Sequence, residues 1–179
     1  MTDAPPFSRK VRVDTLPAEG LNQTIEANAE ERAALAALNR LPAIASLTAR
    51  FTVRRSGRGG AHVAGEVRAD VTQVCIVTLE PFAATVEEPV DVRFAPAEAI
   101  EKARRAKDDD AETVDVGGDD PPDPIIDGRI DLGALAAEFF ALGLDPYPRK
   151  PGVAFDPPED APGGEASPFA ALAEPKKEN

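Results

Sequence analysis

Few side chains in this 179-residue chain could perform covalent or metal chemistry. There is one cysteine, Cys75, and one histidine, His62. A structural zinc site takes about four thiolate or imidazole ligands in tetrahedral reach. Neighbouring Asp and Glu oxygens show no spacing that would complete such a cage. Cys75 fares little better as a nucleophile. It lies in "VTQVCIVTLEPF", between Val74 and Ile76 near the end of a predicted strand, where apolar burial raises a thiol's pKa and makes it inert. His62 approaches it only if a hairpin register allows, and no third group can be named to orient the imidazole. Cys75 therefore reads as a small hydrophobe in the core. A single cysteine also excludes an internal disulfide framework.

Two other features invite chemistry and decline it. "SGRGG" is glycine-rich and basic, but it joins two predicted strands, whereas a phosphate loop needs a helix N-terminus after its strand. Asp108, Asp109, Asp110, Asp119 and Asp120 are abundant carboxylates in a segment with nothing to pack against, so they lack the fixed geometry that acid–base catalysis requires. What remains is charge. Residues 44–72 hold Arg50, Arg54, Arg55, Arg58 and Arg68 against Glu66 and Asp70. Arg50 and Arg54 are expected on the outer face of a sheet, Arg68 across from them and Arg58 in a hairpin tip. Arg50, Arg54, Arg58 and Arg68 are thus the candidate contacts for RNA phosphates. No aromatic shares that face, so base stacking is not expected. The competing reading is a solvated strand face.

The elements that would position these residues follow from hydrophobic period. Residues 7–14 alternate around Val11 and Val13 and predict a strand. "ANAEERAALAALNRL" predicts a helix with Asn28 as N-cap and Glu31 at capping-box spacing. Leu35, Leu38 and Leu41 form its apolar stripe beside Ala34, and Pro42 terminates it. A hairpin follows. Leu47, Ala49, Phe51 and Val53 face inward on one strand, and Val63, Gly65, Val67, Ala69 and Val71 on the other, with "SGRGG" supplying the turn. "ATVEEPVDVRF" predicts a third strand with Val86, Val90, Val92 and Phe94 in register. Glu88 shares that parity and Pro89 has no ladder donor, so a bulge or an edge strand is expected there. One apolar and one polar face point to an antiparallel sheet.

Beyond residue 97 the character changes. "AEAIEKARRAK" predicts a short helix, residues of about 107–124 a flexible acidic loop, and "IIDGRID" a short strand. "DLGALAAEFFALGL" predicts the second main helix, capped by Asp131, with Leu132, Leu135, Phe139 and Leu142 on one face and Gly143 and Leu144 in a Schellman ending. The fold class expected is α+β: an antiparallel β-sheet packed with two main helices in a single domain over 7–150. A disordered Pro/Gly/acidic tail is expected over 151–179, with an apolar island at residues 169–172. Residues 1–97 are close to neutral, and 98–179 carry nearly all of the net charge of −12. That acidity opposes non-specific nucleic-acid binding and favours basic partners. The first residues have no apolar core of a secretory signal, and no apolar run approaches the roughly 20 residues that span a bilayer. A soluble, cytoplasmic protein is expected.

"VTQVCIVTLEPFAATVEEPVDVRFAP" resembles the YceD family, the large ribosomal RNA subunit accumulation proteins. Cys75, Leu79, Glu80, Pro81, Phe94 and Pro96 stand at the positions of that family's motif. "IIDGRIDLGALAAEFFALGLDPYPRKPG" and the closing "SPFAALAEPKK" are similar to later segments of it, so the resemblance runs from about Phe7 to Lys177. Many members carry a second cysteine three residues after the first. Here that position is Thr78, which removes the case for a thiolate pair. The resemblance implies a non-enzymatic ribosome-biogenesis factor without a cofactor, supporting accumulation or processing of large-subunit ribosomal RNA. Its implied partners are ribosomal RNA or the pre-large-subunit particle, together with ribosomal proteins or RNA-processing enzymes, and no membrane. The alternative is an adaptor that binds a basic ribosomal protein or a nuclease without touching RNA.

Overall fold

A computed structural model describes residues 5–109 and 121–154. Its centre is a five-stranded sheet in the order β2-β3-β4-β5-β6, formed by Leu21–Glu26, Ala43–Ser56, Gly60–Val74, Pro81–Pro96 and Asp123–Ile125. All its neighbours are antiparallel except β5 and β6, which run parallel. A separate two-stranded ladder joins β1 (Lys10–Arg12) to β7 (Arg129–Asp131). Three helices accompany the sheets: α1 (Ala29–Leu38), α2 (Ala97–Asp109) and α3 (Leu132–Leu142). The class is α+β; among the described residues there are three helices, α2 lying where a short helix was expected, and the sheet is mixed at one edge.

The predicted alternation of the long hairpin holds except at Gly65, expected on the inner face but exposed. Leu47, Ala49, Phe51 and Val53 of β3 and Val63, Val67, Ala69 and Val71 of β4 are buried, because successive side chains of a strand point to opposite faces. β3 and β4 stay in register except for one shift between Ile44 and Ser46. At Gly65 the strands approach so closely that a Cβ would lie 1.9 Å from the Arg50 carbonyl oxygen. β2 was not anticipated: "LNQTIE" alternates weakly, yet Ile25 is buried opposite Ala49. The strand expected over 7–14 shrinks to Lys10–Arg12. Phe7, Val13 and Leu16 nevertheless all enter the core.

No register shift occurs at Pro89; it faces Glu66 in an unbroken β4–β5 ladder. The edge reading applies instead, because β6 pairs with β5 only at residues 94–96. A proline costs nothing where its missing donor faces no partner.

The helices correct the predicted faces. The α1 capping box forms as expected, with Asn28 Oδ1 accepting from the Glu31 amide at 2.9 Å and Glu31 Oε2 from the Asn28 amide at 2.8 Å. Leu35 and Ala36 are its buried residues, whereas Leu38 is exposed. A stripe advancing by three drifts around a helix of 3.6 residues per turn, and Leu38 has left the core side. The helix ends at Leu38, before Pro42. Arg40 takes φ 55°, and its amide and that of Leu41 bond back to Ala37 and Ala36, which closes a Schellman motif. In α3 the buried face is Leu132, Leu135, Ala136 and Phe140 with Gly133, while Leu142 is exposed. Gly143 is right-handed (φ −77°), not a left-handed ending. The glycine is needed there for space instead of for φ: a Cβ would sit 2.8 Å from a Val86 methyl.

"IIDGRID" contributes to two strands, β6 and β7, around a turn with Asp127 and Gly128 at positive φ. The ends of the predicted acidic loop are ordered: α2 continues to Asp109 and β6 starts at Asp123. Its residues 110–120 and the predicted tail from 155 onward lie outside the described residues. No helix among the described residues is long and apolar enough to cross a membrane.

Candidate functional site

The polar face of the sheet carries the candidate arginines, and strand register arranges them in rungs. Directly opposite residues of neighbouring antiparallel strands share a face. One rung therefore runs Thr48–Arg68–Glu87, the next Arg50–Glu66–Pro89, and the one nearest the hairpin tip Arg54–His62–Arg93. The middle rungs are internally neutralised. Arg50 Nη1 lies 3.1 Å from Glu66 Oε1, and Arg68 pairs with Glu87. The tip rung sets two arginines beside the histidine, and His62 Nε2 lies 2.9 Å from Asp91 Oδ1. Arg58 stands just beyond it, exposed in the turn between Gly57 (φ 55°) and Gly59 (φ 75°).

The structure thus places Arg50, Arg54 and Arg68 on one exposed face as expected, with Arg58 at its end. Cationic character is concentrated at that end. A recess of about 460 Å³ opens there, lined by Arg58, Arg93, Phe94 and Pro96 among others. Arg55, in the same basic stretch, is used internally, its guanidinium donating to the carbonyls of Leu16 and Asp14 at 3.0 and 2.9 Å. His62 and Arg93 are members of the rung that the sequence reading missed. Extending the alternation of Val92 and Phe94 to Arg93, and counting back from the glycine turn, would have found them.

Cys75 sits at the opposite end of β4 and is fully buried. Packing was expected; the polar surroundings were not. Residues 75–80 close on themselves, with the Cys75 amide bonded to the Glu80 carbonyl and the Leu79 amide to the Cys75 carbonyl, both at 2.9 Å. The Lys150 amide donates to Sγ at 3.4 Å. The Lys150 amide first, then the Thr78 hydroxyl and amide, and the Val77 amide, together bring the thiol pKa down to about 6, against the upward push of burial. The expectation that burial would raise this pKa is therefore reversed. The donors stabilise the thiolate more than desolvation penalises it. Thr78, standing where the family motif often has a second cysteine, hydrogen-bonds to the first sulfur.

The same turn holds the chain that leaves α3. The Ile76 amide donates to the Pro148 carbonyl at 2.9 Å. The Gln73 amide group reaches the Asp145 carbonyl at 3.4 Å, and Lys150 Nζ meets Glu80 Oε2 at 3.0 Å. The motif residues Cys75, Glu80 and Pro81 thus build a clasp: Pro81 starts β5, Glu80 takes the lysine and Cys75 the backbone. Leu79 alone points away, 76% exposed. No group of three or more His, Cys, Asp or Glu among the described residues is arranged to hold a metal ion.

A family model described as "Large ribosomal RNA subunit accumulation protein YceD" matches residues 63–177. The matched span contains β4 from Val63 onward, the Cys75 clasp, β5 and α3. No curated protein and no solved structure matches the chain.

Proposed function

The chain belongs to the YceD family, and from that premise we propose that it is a non-enzymatic ribosome-biogenesis factor supporting the accumulation and processing of large-subunit ribosomal RNA. The family match carries the reading. The rung of Arg54, His62 and Arg93, with Arg58 beyond it, supplies a surface suited to phosphates on an otherwise acidic chain. Electrostatic contacts of this kind position a protein on RNA without selecting sequence. The acidic residues beyond 97 suit a basic ribosomal protein or a processing enzyme in the same cytoplasmic particle. Cys75 has a structural role in this reading, because its sulfur is fully covered and engaged by backbone donors.

A second reading is favoured by the ion pairs Arg50–Glu66 and Arg68–Glu87. A face that neutralises its own arginines has less to offer RNA, which suits an adaptor binding only proteins. Crosslinking in cells, with sequencing of bound RNA and identification of bound proteins, separates the two. Removing the protein should lower the ratio of large- to small-subunit ribosomal RNA, and Cys75→Ser should restore it as fully as the unaltered chain. An unchanged ratio in the deletion strain would refute the proposal.

A further inference from the structure

We propose that the outer surface of the Cys75 clasp is a docking site for this chain's own closing segment, residues 167–177. Seven large apolar side chains are exposed among the described residues; Leu38, Ile126 and Leu142 stand apart, and the other four gather at one end of β4. Val74, Ile76, Leu79 and Tyr147 belong to the clasp, to the strand end entering it, or to the segment bonded to it. Exposed apolar groups gathered in one place mark a contact surface. Leu79 adds a second observation. It is a bulky residue held at φ 58° with its side chain 76% exposed, a conformation uncommon outside glycine and costly without compensation.

The occupant follows from the course of the chain. Residues 145–150 run through the clasp, and Ala154, the last described residue, stands four residues past Lys150. The apolar residues Phe169 and Leu172 follow in the sequence. A tether of roughly 15 residues reaches on the order of 20 Å at about 5–6 Å × √n, long enough to return Phe169 to this surface, and a tether of that reach corresponds to an effective concentration on the order of millimolar. Phe169 and Leu172, three apart in the sequence, are large apolar side chains of the kind such a surface accepts. The family match continues to residue 177, so the closing segment belongs to the same pattern as the clasp.

The chain contains one tyrosine, Tyr147, and no tryptophan, so its intrinsic fluorescence reports on this surface. Acrylamide quenching of the full chain should increase about 1.5- to 2-fold in the double variant Phe169→Ser, Leu172→Ser, as expected for a contact roughly half formed at millimolar effective concentration. Leu79→Ser, which alters an exposed side chain, should produce a similar increase with unchanged far-UV circular dichroism. Unchanged quenching in the double variant would overturn the proposal. So would protection that grows with protein concentration equally in both chains, because the occupant would then be a second copy.

Discussion

Replacing Arg54 and Arg58 together by alanine tests whether the hairpin end of the sheet meets RNA. Each cation that neutralises one phosphate contributes about 0.7 to 0.9 to the slope of log K against log salt. Relative to 1 M salt, two such contacts supply about 1.4 to 1.8 log units at 0.1 M, so the double variant should bind pre-large-subunit particles or their RNA about 25- to 60-fold more weakly. The salt slope should fall by roughly 1.5. Arg50 and Arg68 provide an internal control, because Glu66 and Glu87 already balance their charges. Exposed pairs of this type contribute about 0–1 kcal/mol, and replacing each arginine together with its carboxylate should alter binding by less than about 3-fold. The assay is filter binding or co-sedimentation over a salt series, with circular dichroism to verify folding. Equal losses in the two pairs, or an unchanged slope after loss of Arg54 and Arg58, would refute the assignment of RNA contact to the tip rung.

Asp131 accepts from the Arg9 amide at 2.7 Å and caps α3 through the Gly133 and Ala134 amides at 3.1 and 3.2 Å. Asp131→Ala should therefore cost about 2–4 kcal/mol in urea unfolding, one part a lost cap and the rest an unpaired donor; a loss below measurement would contradict that geometry. The Cys75 thiol gives a pH dependence. Its folded pKa of about 6 lies below the ordinary thiol value, so its contribution is complete above about pH 9 and is lost as pH falls through 6. Under reducing conditions, the urea midpoint of the unaltered chain should rise between pH 6 and 9 relative to Cys75→Ala. Parallel curves would show that the sulfur does not carry the charge.

The long hairpin was legible because its alternation is strict and its turn is rich in glycine. The same reading failed for β2, whose Asn22, Gln23 and Thr24 give no apolar period; pairing with β3, not local preference, makes it a strand. Caps were legible at Asn28 and Asp131, since a side-chain oxygen beside free amides is a local device. Helix faces were less so. Leu38 and Leu142 are apolar and correctly spaced, but the sheet meets α1 and α3 on the sides of Ala36 and Phe140. At the candidate interface, composition located the arginines and only register revealed which of them are neutralised. The donors around Cys75 come from residues 77, 78 and 150, and no local pattern links the last of these to a strand end.

The bonds from Ser8 and Arg9 to Asp131 bridge sequence separations of 123 and 122. During synthesis at about 5–20 residues per second, the opening segment must wait about 6–25 s before its partner has even been made. Until then Phe7, destined for complete burial, remains without its final surroundings, while the hairpin of β3 and β4 can already form. Residues 7–9 therefore reach their final surroundings only after Asp131 has been made, and stay accessible to chaperones or proteases until then.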